Sequence, residues 1–143
     1  MRDLVWSIDS RRETVKDLIE RMRELGEELL LPKDVSFHID SSNIKSPNRK
    51  LPAQTKQHIF LIYKEAITNI IRHSDATDVK VTLINDSKGC QFVIKDNGTE
   101  KESYKSSGLG LSNMVMRAEK MRGSFNFQKA NGFCVQLHLP FQL

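Results

Sequence analysis

The chain has 143 residues, of which 38% are apolar and 28% charged, with Lys+Arg 22 against Asp+Glu 18. That length and apolar share suit a single hydrophobic core, and four Pro and seven Gly are too few for a collagenous or low-complexity chain. No apolar run nears the roughly 20 residues that span a bilayer, MRDLVWSIDSRR has no signal-peptide stretch, and the Lys and Arg residues are interleaved with acids, so this segment is expected to be cytoplasmic and to have no nucleic-acid partner.

Ser10 and Glu13 have capping-box spacing, and Val15, Leu18, Ile19, Met22 and Leu25 recur at three- and four-residue intervals, which predicts an amphipathic helix over about 11–29. Gly26 weakens its last turns and Pro32 stands beyond its end. Val35, Phe37 and Ile39 alternate with Ser36, His38 and Asp40, the period of a half-buried strand, with His38 on the outer side. Residues 41–50 read as a polar loop. Pro52 opens a helix over about 53–73, with Ile59, Phe60, Tyr63, Ala66, Ile67, Ile70 and Ile71 on one face and His58, Leu61, Glu65, Asn69 and Arg72 on the opposite stripe.

DVKVTLI (78–84) and CQFVIKD (90–96), joined by NDSKG, predict an antiparallel hairpin that ends at Asp96-Asn97-Gly98. Residues 99–107 lack periodicity and read as a mobile surface loop. Gly108-Leu109-Gly110-Leu111 then opens a short helix to about 122, with Met114, Ala118 and Met121 inward. SFNFQ and CVQLHLP flank Asn131-Gly132, a second hairpin signal. The order α, β, α, β, β, α, β, β does not alternate as a doubly wound sheet does. It predicts one α+β domain over 1–143, a two-layer sandwich with a mixed, largely antiparallel sheet and about three helices on one face. Cys90 and Cys134 lack metal or redox spacing and read as inert core thiols.

Three short signals fall where backbone or side chain reaches a ligand: Glu65-x-x-x-Asn69 on a helix, Asp96-x-Gly98 at a strand end, and Gly108-x-Gly110 before a helix. Singly each is a common surface or turn pattern. Together, KEAITNIIRH, VIKDNG and GLGLSNMVMRAEKMRG resemble the ATP-binding domain of sensor histidine kinases in the GHKL superfamily, which also includes gyrase, MutL and a class of heat-shock chaperones. RHSDAT and GLxNMxxRAxxMRG favour the histidine kinases within it, and LVWSID resembles the segment leading out of the dimerisation helices, which makes 1–10 the tail of that connection.

The resemblance implies the site residues. Asn69 would offer its amide oxygen to a Mg2+ ion bridging the phosphates of ATP, a hard cation that takes oxygen ligands and keeps several waters. Glu65, one turn earlier, would act as a base, orient water or bind the metal through water. Arg72 and, at the edge of the stripe, His73 would pair with phosphate. Asp96 would accept a hydrogen bond from the exocyclic amine of adenine, Gly98 would let the backbone approach the ring, and Gly108, Leu109, Gly110 and Leu111 would bring helix-start N–H groups to the phosphates. Residues 99–107 would be the lid.

Departures from the family pattern also matter. Glu100 replaces the usual second glycine after DNG, the lid is short, and Phe133 and Cys134 follow Gly132 where a threonine is usual. A phosphoacceptor histidine is typically followed by Asp or Glu, whereas His38, His58, His73 and His138 are followed by Ile, Ile, Ser and Leu. His58 and His138 read as ordinary polar positions. The resemblance therefore implies the catalytic part of a longer, membrane-anchored kinase, with its dimerisation and phosphoacceptor domain before Met1 and a response regulator downstream. The competing reading is a nucleotide-binding or interaction module that has lost phosphotransfer.

Overall fold

The computed structural model describes residues 14–99, 109–128 and 132–143. Its elements are α1 (Val15–Leu30), a 3-10 turn (Leu31–Lys33), β1 (Ser36–Asp40), α2 (Ala53–His73), β2 (Asp78–Asp86), β3 (Gly89–Asp96), α3 (Leu109–Lys120), β4 (Ser124–Gln128) and β5 (Cys134–Leu139). The strands form one sheet in the order β1-β2-β3-β5-β4. β1 and β2 are parallel, joined by the crossover through α2, and the other pairs are antiparallel.

The period-2 pattern of the strands separates two faces. Val79, Val81, Leu83, Phe92, Ile94, Val135, Leu137 and Leu139 are buried on one, while their alternates Lys80, Lys95, Gln136 and His138 are exposed or half-buried on the other. The core closes with Leu18, Met22 and Leu25 of α1, Ile59, Tyr63, Ile67 and Ile70 of α2, and Met114 and Ala118 of α3, with Met121 just past its end. This is the two-layer α+β arrangement that the strand and helix periods predict. Among the described residues, no helix is long and apolar enough to cross a membrane.

The start of α1 differs from the expected one. Thr14 is the cap, its hydroxyl accepting from the Asp17 N–H at 3.2 Å while Asp17 accepts from the Thr14 N–H at 3.3 Å; Ser10 and Glu13 lie outside the described residues. The first-turn donors of Val15 and Lys16 are satisfied by the carbonyls of Arg49 and Pro47, and the N–H groups of Lys45 and Ser46 bond to the carbonyl of Leu143. Residues 41–50 thus join the start of α1 to the C-terminal residues, a role that their polar composition does not reveal.

Two cations are buried where the pattern predicts none on a core face: Lys56 in the apolar stripe of α2 and Arg21 in α1, whose guanidinium lies 5.2 Å from the centre of the Phe60 ring. Ile71, expected on the apolar face, is only half-buried. The cysteines also divide. Cys90 is buried on the helix-covered face, where burial first and Asp86 second push its thiol up to about 12. Cys134 pairs with Lys95 in the β3–β5 ladder and lies half-buried on the other face, so it is not the core thiol expected. Gly26 sits where a Cβ would come 2.5 Å from the Phe37 ring and 2.6 Å from the Tyr63 hydroxyl, so the glycine lets α1 close on β1 and α2.

Tyr63 ties the helix layer together by donating its buried hydroxyl to the Met22 carbonyl at 2.6 Å. Tyr63→Phe should therefore lower the unfolding free energy by about 0.5–1.5 kcal/mol in urea titrations. An unchanged midpoint would show that this bond contributes nothing net.

Candidate functional site

The end of β3 positions a carboxylate that the sheet register forces inward. Asp96 pairs with Val79 and shares the parity of Phe92 and Ile94, so its side chain lies on the helix-covered face, and the residue is only 2% exposed. Its N–H bonds to the Phe133 carbonyl at 3.0 Å. Oδ1 accepts from the Gly98 N–H at 2.7 Å and from the Ser74 hydroxyl at 3.3 Å. Oδ2 is buried and has no hydrogen-bond partner among the described residues. Burial pushes the Asp96 carboxyl above the ordinary aspartate range, opposed by its hydrogen bonding with Gly98, Phe133 and Ser74, while the nearby charge of Asp75 pushes it further up.

The turn around Asp96 is held by the segment that follows α2. The helix stops at His73; Ser74 is extended, and its N–H still reaches the Ile70 carbonyl at 2.9 Å. Asp75 then accepts from both the N–H and the hydroxyl of Thr99, at 2.6 and 2.7 Å. The Asn97 amide oxygen accepts from the N–H groups of Thr77 and Asp78, each at 2.9 Å. The motif that reads as a family marker, HSDAT, is therefore a clamp on DNGT, a contact between distant segments that spacing along the chain does not disclose.

Two glycines complete the seat. The space of a Cβ at Gly98 is already occupied by the Ser74 hydroxyl, with Ala76 N at 2.8 Å and Asp75 Oδ1 at 2.9 Å. The clamp itself therefore requires a glycine at this position. At Gly132, with φ +100°, a Cβ would collide with the Asp96 carbonyl and come 2.7 Å from Asp96 Oδ1. Phe133 turns into the core against Phe127, with ring centres 5.3 Å apart.

The polar stripe of α2 runs away from this seat. Glu65 and Asn69 are half-buried and Arg72 is exposed; His73 is half-buried at the stripe's edge. α3 lies across the same stripe, because Arg117 Nη1 stands 3.2 Å from His58 Nδ1. Gln54 and His58 share a cleft with Lys120 and Met121, so α3 runs antiparallel to α2. From the Arg117–His58 contact, Leu109 on α3 and Glu65 on α2 are both about 10–12 Å along their helices. The first turn of α3, Leu109, Gly110 and Leu111, is therefore level with Glu65, one turn from Asn69. Gly108, Glu100 and the expected lid beyond Thr99 lie outside the described residues.

Among the described residues, no group of three or more His, Cys, Asp or Glu could hold a metal ion. A depression lined by Asp78, Lys80, Thr82, Val93, Lys95, Asp96 and Asn97 lies at the outer face of the sheet.

Residues 54–143 match the family described as Histidine kinase-, DNA gyrase B-, and HSP90-like ATPase. The chain is 33% identical over 106 residues to the sensor histidine kinase YxjM of Bacillus subtilis, covering 73% of this chain and 26% of that protein. It is 28% identical over 147 residues to YvfT, another sensor histidine kinase of Bacillus subtilis, covering 97% and 39%. The chain thus spans about a quarter to two fifths of the length of these curated relatives. In fold it is similar to the histidine kinase domain of a blue-light activated histidine kinase from Erythrobacter litoralis, with a TM-score of 0.72 at 14% identity, covering 90% of this chain and 61% of that one.

The strained charge at Asp96 has a measurable sign. Its folded-state value is raised, so in strong acid, with the carboxyl protonated in both states, it costs nothing. As the pH rises through 3.8 the unfolded chain ionises first, and each unit of the raised value then weakens the fold by about 1.4 kcal/mol. Asp96→Asn without ligand should be at least as stable as the parent at pH 7, and its advantage should shrink in urea titrations below pH 4. A variant clearly less stable than the parent at pH 7 would contradict the strain.

Proposed function

The chain belongs to the histidine kinase-, DNA gyrase B- and HSP90-like ATPase family, and on that premise we propose that it binds Mg-ATP between the end of β3 and the polar stripe of α2 and donates the γ-phosphoryl group to a histidine on a separate dimerisation domain. The observation that carries the proposal is the unpartnered buried oxygen of Asp96. A carboxylate oxygen withdrawn from water without a donor costs free energy that an incoming amine recovers, and adenine offers one. Gly98, whose N–H fixes Oδ1, leaves Oδ2 to the base.

The remaining roles follow from the stripe. Asn69 would hold Mg2+ through its amide oxygen, with the phosphates and water supplying most other ligands, because so few protein oxygens converge there. Bound there, the ion would neutralise charge on the phosphates and hold them in line. Glu65 faces the same side, where it serves as a base or orients water. The N–H groups at the start of α3, level with Glu65, receive phosphate oxygens, and Arg72 and His73 add positive charge at the end of the stripe next to Ser74. Catalysis then rests on positioning and charge more than on covalent chemistry.

Similarity to two sensor histidine kinases supports a role for the chain within a two-component pathway, with a sensor on the same polypeptide, in a membrane-anchored parent, and a response regulator as the final acceptor. A second reading, a nucleotide-binding module without transfer, is favoured by Phe133, which buries its ring where the family offers a hydroxyl. Transfer decides between them.

ATP should raise the melting temperature of the parent, more so with Mg2+, and Asp96→Asn should lose this shift altogether while remaining folded. Asn69→Ala should keep a metal-independent shift but lose the metal-dependent increment and all transfer to an added dimerisation domain that carries the acceptor histidine. Adenine recognition is wrong if Asp96→Asn binds ATP like the parent. The kinase reading is wrong if the parent binds Mg-ATP and leaves a competent acceptor unphosphorylated.

A further inference from the structure

Away from the nucleotide residues, the two ends of the α2–α3 pair form a second polar cleft. It has a volume of about 480 Å3, and its walls include Gln54, Thr55 and His58 from α2, Lys120 at the end of α3, and Phe141. Arg117 stands beside it, 3.2 Å from His58. Since a guanidinium only donates, His58 Nδ1 is the acceptor and the ring is neutral, with its proton on Nε2. Arg117 and Lys120 have no carboxylate within ion-pair distance among the described residues. The remaining wall residues, Gln54, Thr55, Gln57, Met121 and Phe141, carry no charge. His58 and Lys120 thus line a concave site with Arg117 at its edge, and no carboxylate among the described residues neutralises either cation.

We propose that this cleft binds a small dianion of the phosphate or sulfate type, at a site separate from the nucleotide site. A dianion would be held by Lys120 and by Arg117, which turns from His58 toward the ligand when His58 takes up a proton. The imidazolium then supplies a further charge-assisted donor where it had been an acceptor. The volume also admits the organic part of a phosphate monoester, with Gln54 and Thr55 as further polar partners. His58 lies eleven residues before Asn69 on α2, about 16 Å along the axis, so one phosphate cannot serve both places.

The direction of the proton linkage supports this arrangement. Burial first, and then the charges of Arg117 and Lys120, hold His58 below the ordinary histidine value of 6.5. A bound dianion opposes both charges and favours the imidazolium, so binding tightens as the pH falls through the His58 value.

The test is sulfate titration followed by the histidine ring signals in NMR, at fixed ionic strength, with His58→Gln assigning the resonance. Sulfate stays doubly charged over the whole range, so any pH dependence belongs to the protein. The expected result is a saturable shift confined to His58 among the four histidines, with its titration midpoint moved upward. Lys120→Gln and Arg117→Gln should each weaken the response about tenfold. Lys120 is exposed, so that variant folds even if Arg117→Gln disturbs the helix pair. Glycerol 3-phosphate in place of sulfate distinguishes the source: tighter binding marks a monoester as ligand, equal binding the bare ion. Asp96→Asn should respond like the parent, which separates this site from the nucleotide reading. No saturable shift of His58, or a response unchanged by Lys120→Gln, overturns the proposal.

Discussion

A carboxylate kept out of water with one oxygen unfilled is the constraint around which the rest of the molecule is arranged. Burial of such a group is costly, and a chain tolerates it only where the surrounding structure is rigid enough to refuse relaxation. That rigidity has identifiable sources. The β3–β5 ladder fixes the depth of Asp96 through its N–H bond to Phe133, Gly132 packs against its backbone, and Ser74 and Gly98 fix the orientation of the carboxyl group. Each contact leaves Oδ2 where it is, and none satisfies it.

α2 links this seat to the rest. One face carries the core from Ile59 to Ile70, and the other presents a stripe that α3 crosses. Because the helix ends at His73 and the chain turns at once into the clamp on Asn97 and Thr99, the position of the stripe and that of the carboxylate are set by one rigid body. The antiparallel α3 then divides the stripe in two. Its start is level with Glu65 and its end closes a basic cleft over His58, so the same pair of helices offers differently charged surroundings at its two ends.

Much of this is legible in the sequence because the informative signals are periodic. All eight elements appear in the predicted order, the inward faces of the strands and helices are those that alternation indicates, and Glu65, Asn69 and Arg72 do share a stripe. What the periods do not show depends on contacts between distant segments. The cap at Thr14 rather than Ser10, the docking of residues 41–50 on α1 and the C-terminal residues, and the grip of Asp75 on Thr99 involve polar residues whose partners are set only by the fold. Lys56 and Arg21 are hidden for another reason: a long aliphatic stem lets a cation occupy an apolar stripe, which a hydrophobic pattern cannot register. Gly98 is legible as necessary, but local sequence does not show that Ser74, Asp75 and Ala76 fill the space a side chain would need.

The placement of the two cysteines on opposite faces has a practical corollary. Cys90 is sealed beneath the helices with its thiol held protonated, so a maleimide or methanethiosulfonate reagent meets only Cys134 on the native protein. That sulfur stands next to Lys95 in the ladder, one residue from Asp96 but behind the sheet. The wild-type chain thus carries its own attachment point for a fluorophore or spin label, close enough to sense occupancy of the carboxylate seat and shielded from touching whatever sits there.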